Sequence, residues 1–162
     1  MAKLELKLKI GDPAPDFTAP TQDDHSVTLS SFRGKWVILF FYPRDNTPGC
    51  TLEACGFRDR WEALTERGAV VLGVSTDSVR SHVGFAQRFK LPFPLLADPD
   101  KKLVSAYGVY AAKSFMGRIG LGTHRVSFLI DPTGRIAEIW TRVSPTGHPA
   151  EVEAAIDRLT KA

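Results

Sequence analysis

The chain has two thiols, Cys50 and Cys55, and both fall in one stretch, Phe40-Phe41-Tyr42-Pro43-Arg44-Asp45-Asn46-Thr47-Pro48-Gly49-Cys50-Thr51-Leu52-Glu53-Ala54-Cys55. A thiol does its chemistry as the thiolate, either as a nucleophile or as a metal ligand. The Cys-x4-Cys spacing is neither the Cys-x2-Cys of dithiol carriers nor a zinc set, because two thiols make half a structural zinc site. His25, His82, His124 and His148 are scattered singly, at no metal-ligand spacing, and are expected to be ordinary surface or capping residues. No zinc site or other cofactor is expected, and a nucleophilic cysteine is the sharper reading.

The elements around Cys50 favour that reading. From Trp36 to Tyr42 every residue is apolar or aromatic, which predicts a central strand covered on both faces, and Pro43 ends it because it cannot donate to the ladder. Thr47 suits an N-cap and Pro48 the first helical position, so a helix is predicted from near Pro48 with Cys50 in its first turn. Free backbone N–H groups and the positive end of the helix dipole favour an anion there. Helix N-termini and nearby cations lower thiol pKa values in general, and the thiolate attacks. The alternative for Cys50 is a small buried hydrophobe, the commoner fate of a free cysteine; the Thr47-Pro48-Gly49 approach argues against it. Cys50, Ala54, Phe57, Trp61 and Leu64 form one apolar stripe at helical spacing, and Gly68 closes the helix.

The remaining elements follow from periodicity. Met1 to Ile10 alternates charged and aliphatic residues and predicts a strand, unlike the unbroken apolar region of a secretory signal. Gly11 to Phe17 is rich in turn residues, and Val27-Thr28-Leu29 is the return arm of an N-terminal hairpin. Ala69 to Ser75 is a second apolar strand, followed by a helix capped by Asp77 or Ser78 with Val79, Val83, Ala86 and Phe89 facing the core. Two strands bridged by such a helix form a βαβ unit. Phe93 to Asp98 is a short strand, and a helix follows from about Lys101 to Tyr107, stopped by Gly108. Val109 to Gly122 is expected to be a mobile surface loop, and its glycines do not have the dinucleotide-binding spacing. His124–Ile130 and Arg135–Val143 are predicted strands joined by the turn Asp131-Pro132-Thr133-Gly134, and Pro149 starts a last helix. The pattern predicts one α/β domain over residues 1–162, a central mixed sheet flanked by helices with an N-terminal hairpin extension.

With 162 residues, 43% hydrophobic and 24% charged, the composition is that of an ordinary globular protein. Net charge is +3, but the 21 basic and 18 acidic residues are interspersed, which argues against a nucleic-acid partner. No apolar run approaches the roughly 18 residues of a membrane span, and two cysteines do not make a secreted disulfide scaffold. No membrane association and a cytoplasmic location are expected.

Pro43-x-x-x-Thr47-x-x-Cys50 on a strand–loop–helix junction, with Arg125 opening a later strand as Arg-x-Ser-Phe, resembles the peroxiredoxins. Gly11-Asp12-x-Ala14-Pro15-Asp16-Phe17, the run from Phe41 to Cys55, Phe93-Pro94-Leu95-Leu96-x-Asp98 and Phe128-Leu129-Ile130-Asp131 resemble the Q-type, or bacterioferritin comigratory protein, subfamily over nearly the whole chain. The resemblance implies a thioredoxin-like fold and a thiol-dependent peroxidase acting on hydrogen peroxide or alkyl hydroperoxides. Cys50 would be the peroxidatic cysteine, Cys55 the resolving one, and thioredoxin or a similar dithiol protein the reductant. The family favours a monomer or weak dimer. Thr47 would contact the peroxide or the thiolate, Arg125 would stabilise the thiolate and the departing oxygen, and Pro43 would shield the pocket from water. A dithiol–disulfide oxidoreductase without a peroxide step is the alternative, which the cysteine spacing disfavours; a redox-inert domain lacks a ligand surface.

Two cysteines five residues apart in one helix stand roughly 8.7 Å apart at Cα, with side chains about 140° apart around the axis. A disulfide needs Cα atoms within about 7 Å. If both lie in one regular helix, its first turns must unwind after Cys50 is oxidised, between Gly49 and Gly56.

Overall fold

The computed structural model describes residues 4–161. Its centre is a five-stranded mixed sheet in the order β5-β4-β3-β8-β9, with β3 (Trp36–Phe41) in the middle. β3 runs parallel to β4 (Ala69–Ser75), which runs parallel to β5 (Leu95–Ala97). On its other side β3 is antiparallel to β8 (Val126–Ile130), which pairs with β9 (Ile136–Trp140) across the predicted Asp131–Gly134 turn. β1 (Thr18–Pro20) and β2 (Ser26–Thr28) form the expected N-terminal hairpin.

Alternation along β3 divides the core in two. Ile38, Phe40 and Tyr42 face a cluster with Cys50, Ala54, Phe57 and Leu64 of α1 (Pro48–Glu66), Phe85 of α2 (Val79–Phe89), and Val152 and Ile156 of α4 (His148–Thr160). Val37, Leu39 and Phe41 face the opposite side, against Leu103 and Val104 of α3 (Lys102–Ala106) and residues Ala14 and Ala19. Both faces of the sheet are thus covered, which is why β3 is an unbroken apolar run. The Phe40 ring stacks on Phe57 at 4.8 Å between centroids and fixes α1 to the sheet.

Several expectations are corrected. Among the described residues no strand forms from Leu4 to Ile10, where Leu4, Leu6 and Leu8 pack on the core from an irregular segment; Met1–Lys3 lie outside the described residues. The alternation there reflects burial without a pairing partner. Val109–Gly122 is not a loop. It holds a two-stranded ribbon of β6 (Tyr110–Phe115) and β7 (Arg118–Thr123), turned by Met116 and Gly117 at φ +52 and +80. Two successive positive φ values are what a two-residue hairpin turn demands. Its glycines hid it, and Ile119 and Leu121 stand 76% and 71% exposed, so no buried face marked the strands. Trp61 is 37% exposed and lies at the edge of the α1 stripe. The core face of α2 centres on His82 and Phe85, with Val79 and Val83 only half-buried, and Ser78 caps it by accepting from Ser81 N at 3.1 Å. No helix among the described residues is long and apolar enough to cross a membrane.

Candidate active site

Cys50 is 1% exposed, in the first turn of α1 at the position the proline and threonine signals predict. The register that pairs Phe41 with Val126 carries Arg125 to the end of β3, where the chain turns towards α1. Arg125 Nη2 donates to Cys50 Sγ at 3.4 Å and Nη1 donates to Glu53 Oε1 at 2.8 Å. One planar fork thus spans both groups, an arrangement a lysine cannot reproduce. Gly49 makes room for it, since a Cβ there would lie 3.0 Å from Arg125 Nη2.

Glu53 is fully buried, and its Oε2 has no hydrogen-bond partner among the described residues. Burial pushes its carboxyl up to about 7, against the opposing pull of Arg125. Burial works against the charge of Arg125, but Cys50 and Glu53 outweigh it and hold the guanidinium above its ordinary value. Lys113 of β6 donates from Nζ to Thr123 O at 2.9 Å. Burial and repulsion from Arg125 lower its pKa, with Cys50 pulling the other way.

Thr47 occupies the N-cap position, but its side chain does not cap the helix; Oγ1 donates to Arg44 O at 2.8 Å, within the loop. Among the described residues it makes no hydrogen bond to Cys50. Pro43 is half-buried and forms a wall of a cavity of about 360 Å³, shared with Arg44, Lys101 and Lys113. Two histidines depart from expectation: His82 and His148 are buried, not surface residues. The ligand atoms of Asp45, Asp77 and His82 lie within 4.8 Å of one another. Asp45 and His82 already bond to Tyr42, Ser81 and Leu96, which makes the group a hydrogen-bonded anchor.

The family model described as the AhpC/TSA family matches residues 10–139. A putative peroxiredoxin bcp of Coxiella burnetii is 48% identical over 147 residues, covering 91% of this chain and 97% of that one. The chain belongs to the AhpC/TSA family, among its Q-type peroxiredoxins. The peroxiredoxin Bcp of Escherichia coli is 44% identical over 87% of this chain and 90% of its own. The solved structure of the Xanthomonas campestris bacterioferritin comigratory protein, a protein described by its alkyl peroxide reduction activity, superposes with a TM-score of 0.86 at 34% identity, covering 96% of this chain and 99% of that one. A Xylella fastidiosa PrxQ gives a TM-score of 0.89 at 36% identity, covering 94% and 98%. This peroxiredoxin therefore has the thioredoxin fold, and it is a thiol-dependent peroxidase.

Within that frame Cys55 is set apart from Cys50. It is half-buried in the same helix, and both cysteines are free. Burial raises the Cys55 thiol pKa, Arg58 opposing and Asp59 adding. Cys50 and Arg125 are brought together as the sequence predicts; Pro43 and Thr47 stand on the loop between β3 and α1, and Cys55 stays apart. Glu53, Lys113, Asp45 and His82 are the residues that sequence reasoning missed. For Glu53 a signal existed, since a residue three beyond Cys50 shares its helix face.

Proposed function

We propose that this peroxiredoxin reduces hydrogen peroxide and organic hydroperoxides through Cys50, with Cys55 as the resolving thiol and thioredoxin or a similar cytoplasmic dithiol protein as the reductant. The observation that carries the reading is the Arg125 guanidinium 3.4 Å from Cys50 Sγ at the mouth of a helix. Guanidinium and helix amides both favour an anionic sulfur. The thiolate attacks the terminal oxygen of the peroxide; an S–O bond forms, the O–O bond breaks, sulfur is oxidised to sulfenic acid, and the departing oxygen leaves with a proton as water or alcohol. Arg125 stabilises charge on that oxygen as it develops, Glu53 holds the other half of its fork, Thr47 orients the peroxide, and Pro43 limits water. The Cys55 thiol then attacks the sulfenic sulfur and expels water, and the disulfide is returned to two thiols by the dithiol protein.

Peroxide consumption with a dithiol reductant tests these assignments. Cys50→Ser is expected to abolish it. Cys55→Ser is expected to form sulfenic acid once and then stall with thioredoxin. Continued turnover by Cys50→Ser removes Cys50 from the reaction, and full thioredoxin-coupled turnover by Cys55→Ser removes Cys55.

A further inference from the structure

Asp45 lies midway along the Pro43–Thr47 loop, yet it is buried. Its Oδ1 accepts from Tyr42 Oη at 2.6 Å, and its Oδ2 accepts from Ser81 Oγ at 2.8 Å and lies 2.7 Å from His82 Nδ1. With two hydroxyls donating to it the carboxylate is an acceptor, so His82 donates from Nδ1. His82 Nε2 lies 2.9 Å from Leu96 O, which can only accept, so the ring donates there as well. The Asp45 backbone N donates to Asp77 Oδ2 at 2.8 Å, an oxygen that Ser75 Oγ also reaches at 2.6 Å. These bonds tie the loop to the end of β3, to β4, to α2 and to β5; none of them goes to α1. The following residue, Asn46, has φ +63, a left-handed conformation that persists at a non-glycine residue where surrounding contacts over-determine it.

We propose that His82, acting through Asp45, is a positioning residue for the peroxide step: it fixes the loop so that Pro43 and Thr47 keep their places about Cys50 while the start of α1 changes shape. His82 touches neither sulfur nor substrate in this scheme. A buried polar network with every member satisfied selects one arrangement, and removing a donor leaves the Asp45 charge under-paired in the interior. The inference rests on the roles given to Pro43 and Thr47 above.

The test uses the Cys55→Ser background, where oxidation stops at sulfenic acid. His82→Phe is expected to lower the second-order rate of Cys50 oxidation by hydrogen peroxide about 10- to 100-fold, the scale of loss that a misplacement of about 1 Å brings. Alkylation of Cys50 by iodoacetamide, which uses neither Pro43 nor Thr47, is expected to change by less than about threefold. His82→Asn keeps a donor where Nδ1 stood and is expected to recover most of the rate. Equal losses of oxidation and alkylation, or wild-type oxidation in His82→Phe, overturn the proposal. Should His82→Phe not fold, Ser81→Ala removes a different Asp45 donor and is judged by the same two rates. Thr47→Val separates the layers: if it slows oxidation and His82→Phe does not, the anchor falls and the site roles stand; if neither does, both fall.

Discussion

Between Pro43 and Thr47 the chain is held by directional bonds, with the Asp45 carboxylate taking Tyr42, Ser81 and His82, and its amide going to Asp77. From Gly49 to Phe57, on the other side of the same sulfur, the polar fastening is sparse. Thr47 gives the helix no side-chain cap, Glu53 Oε2 is unpaired among the described residues, and the Arg125 fork is what reaches Cys50 and Glu53. Packing holds this turn instead, through Cys50, Ala54 and Phe57, all buried. Gly56, in the interior of α1, costs about 1 kcal/mol relative to alanine. Gly56 is needed because a Cβ there would come within 2.7 Å of the Pro149 ring at the start of α4. Contacts that are mostly non-directional and backed by glycine favour local opening, whereas a satisfied buried network resists it. The difference suits the proposed chemistry, in which one wall of the pocket stays fixed for peroxide and the other opens for Cys55.

The largest expected effect comes from removing the fork that reaches Cys50 and Glu53 in the sparsely fastened region. Arg125→Met is expected to lower the rate of sulfenic acid formation about 10²- to 10³-fold, the usual loss when a preorganised donor to a developing charge is deleted. Its effect on stability should be much smaller, because Glu53 can stay protonated once its cation is gone. Arg125→Lys should rescue only partly, supplying charge without the fork. Pre-steady-state oxidation rates check this, and an unchanged rate in Arg125→Met would take Arg125 out of the site.

Oxidation should sharpen the contrast. When the Cys50–Cys55 disulfide forms, amides from about Gly49 to Phe57 are expected to exchange about 10- to 100-fold faster than in the reduced protein, while Tyr42, Asp45 and His82 keep their protection. Helix content should fall. Trp61 lies on the same helix but is 37% exposed, so its fluorescence change should be modest. Disulfide formation with undiminished protection across Gly49–Phe57 would mean that the turn does not open, or that Cys55 is not the partner.

How much of this was legible depended on where each residue's partners lie. β3, β4 and the start and stop of α1 follow from local signals: apolar runs, Pro48 at the first helical position, Gly68 after the last turn. Arg125 emerged because its motif and that of Cys50 resemble one family's. The anchor was invisible for a physical reason. His82 is 37 residues from Asp45, and a lone histidine on an amphipathic helix gives no sign of whether its ring meets water or a carboxylate. His148 is the same case, its Nε2 2.8 Å from Ser127 Oγ on a distant strand. The Thr47 hydroxyl turned to Arg44 O instead of the helix, a choice among nearby acceptors that residue type leaves open. The β6–β7 ribbon lacked the buried face that makes strands recognisable.

The smallest expected effect is the pH dependence that Glu53 gives the weaker region. Its carboxyl is raised from 4.5 to about 7 by burial, against the pull of Arg125. Between those values the folded protein therefore holds a proton that the unfolded chain has lost, and stability falls as pH rises. The favourable contribution is fully present below about 4.5 and is lost progressively by about pH 7. The same sign applies to local opening, because unwinding the first turns of α1 exposes Glu53: raising the pH through 7 should favour the open form. Glu53→Gln removes the titration while keeping an acceptor for Arg125 Nη1. Its melting temperature is expected to decline less than that of the wild type between pH 5 and pH 8, by a few degrees, as about 1–2 kcal/mol amounts to in a chain of this size. Taking the difference between the two proteins isolates Glu53 from His148, whose pKa is lowered by burial against the pull of Glu151 and which acts on the acid side. Parallel melting curves across that range would show that the buried carboxyl does not titrate there.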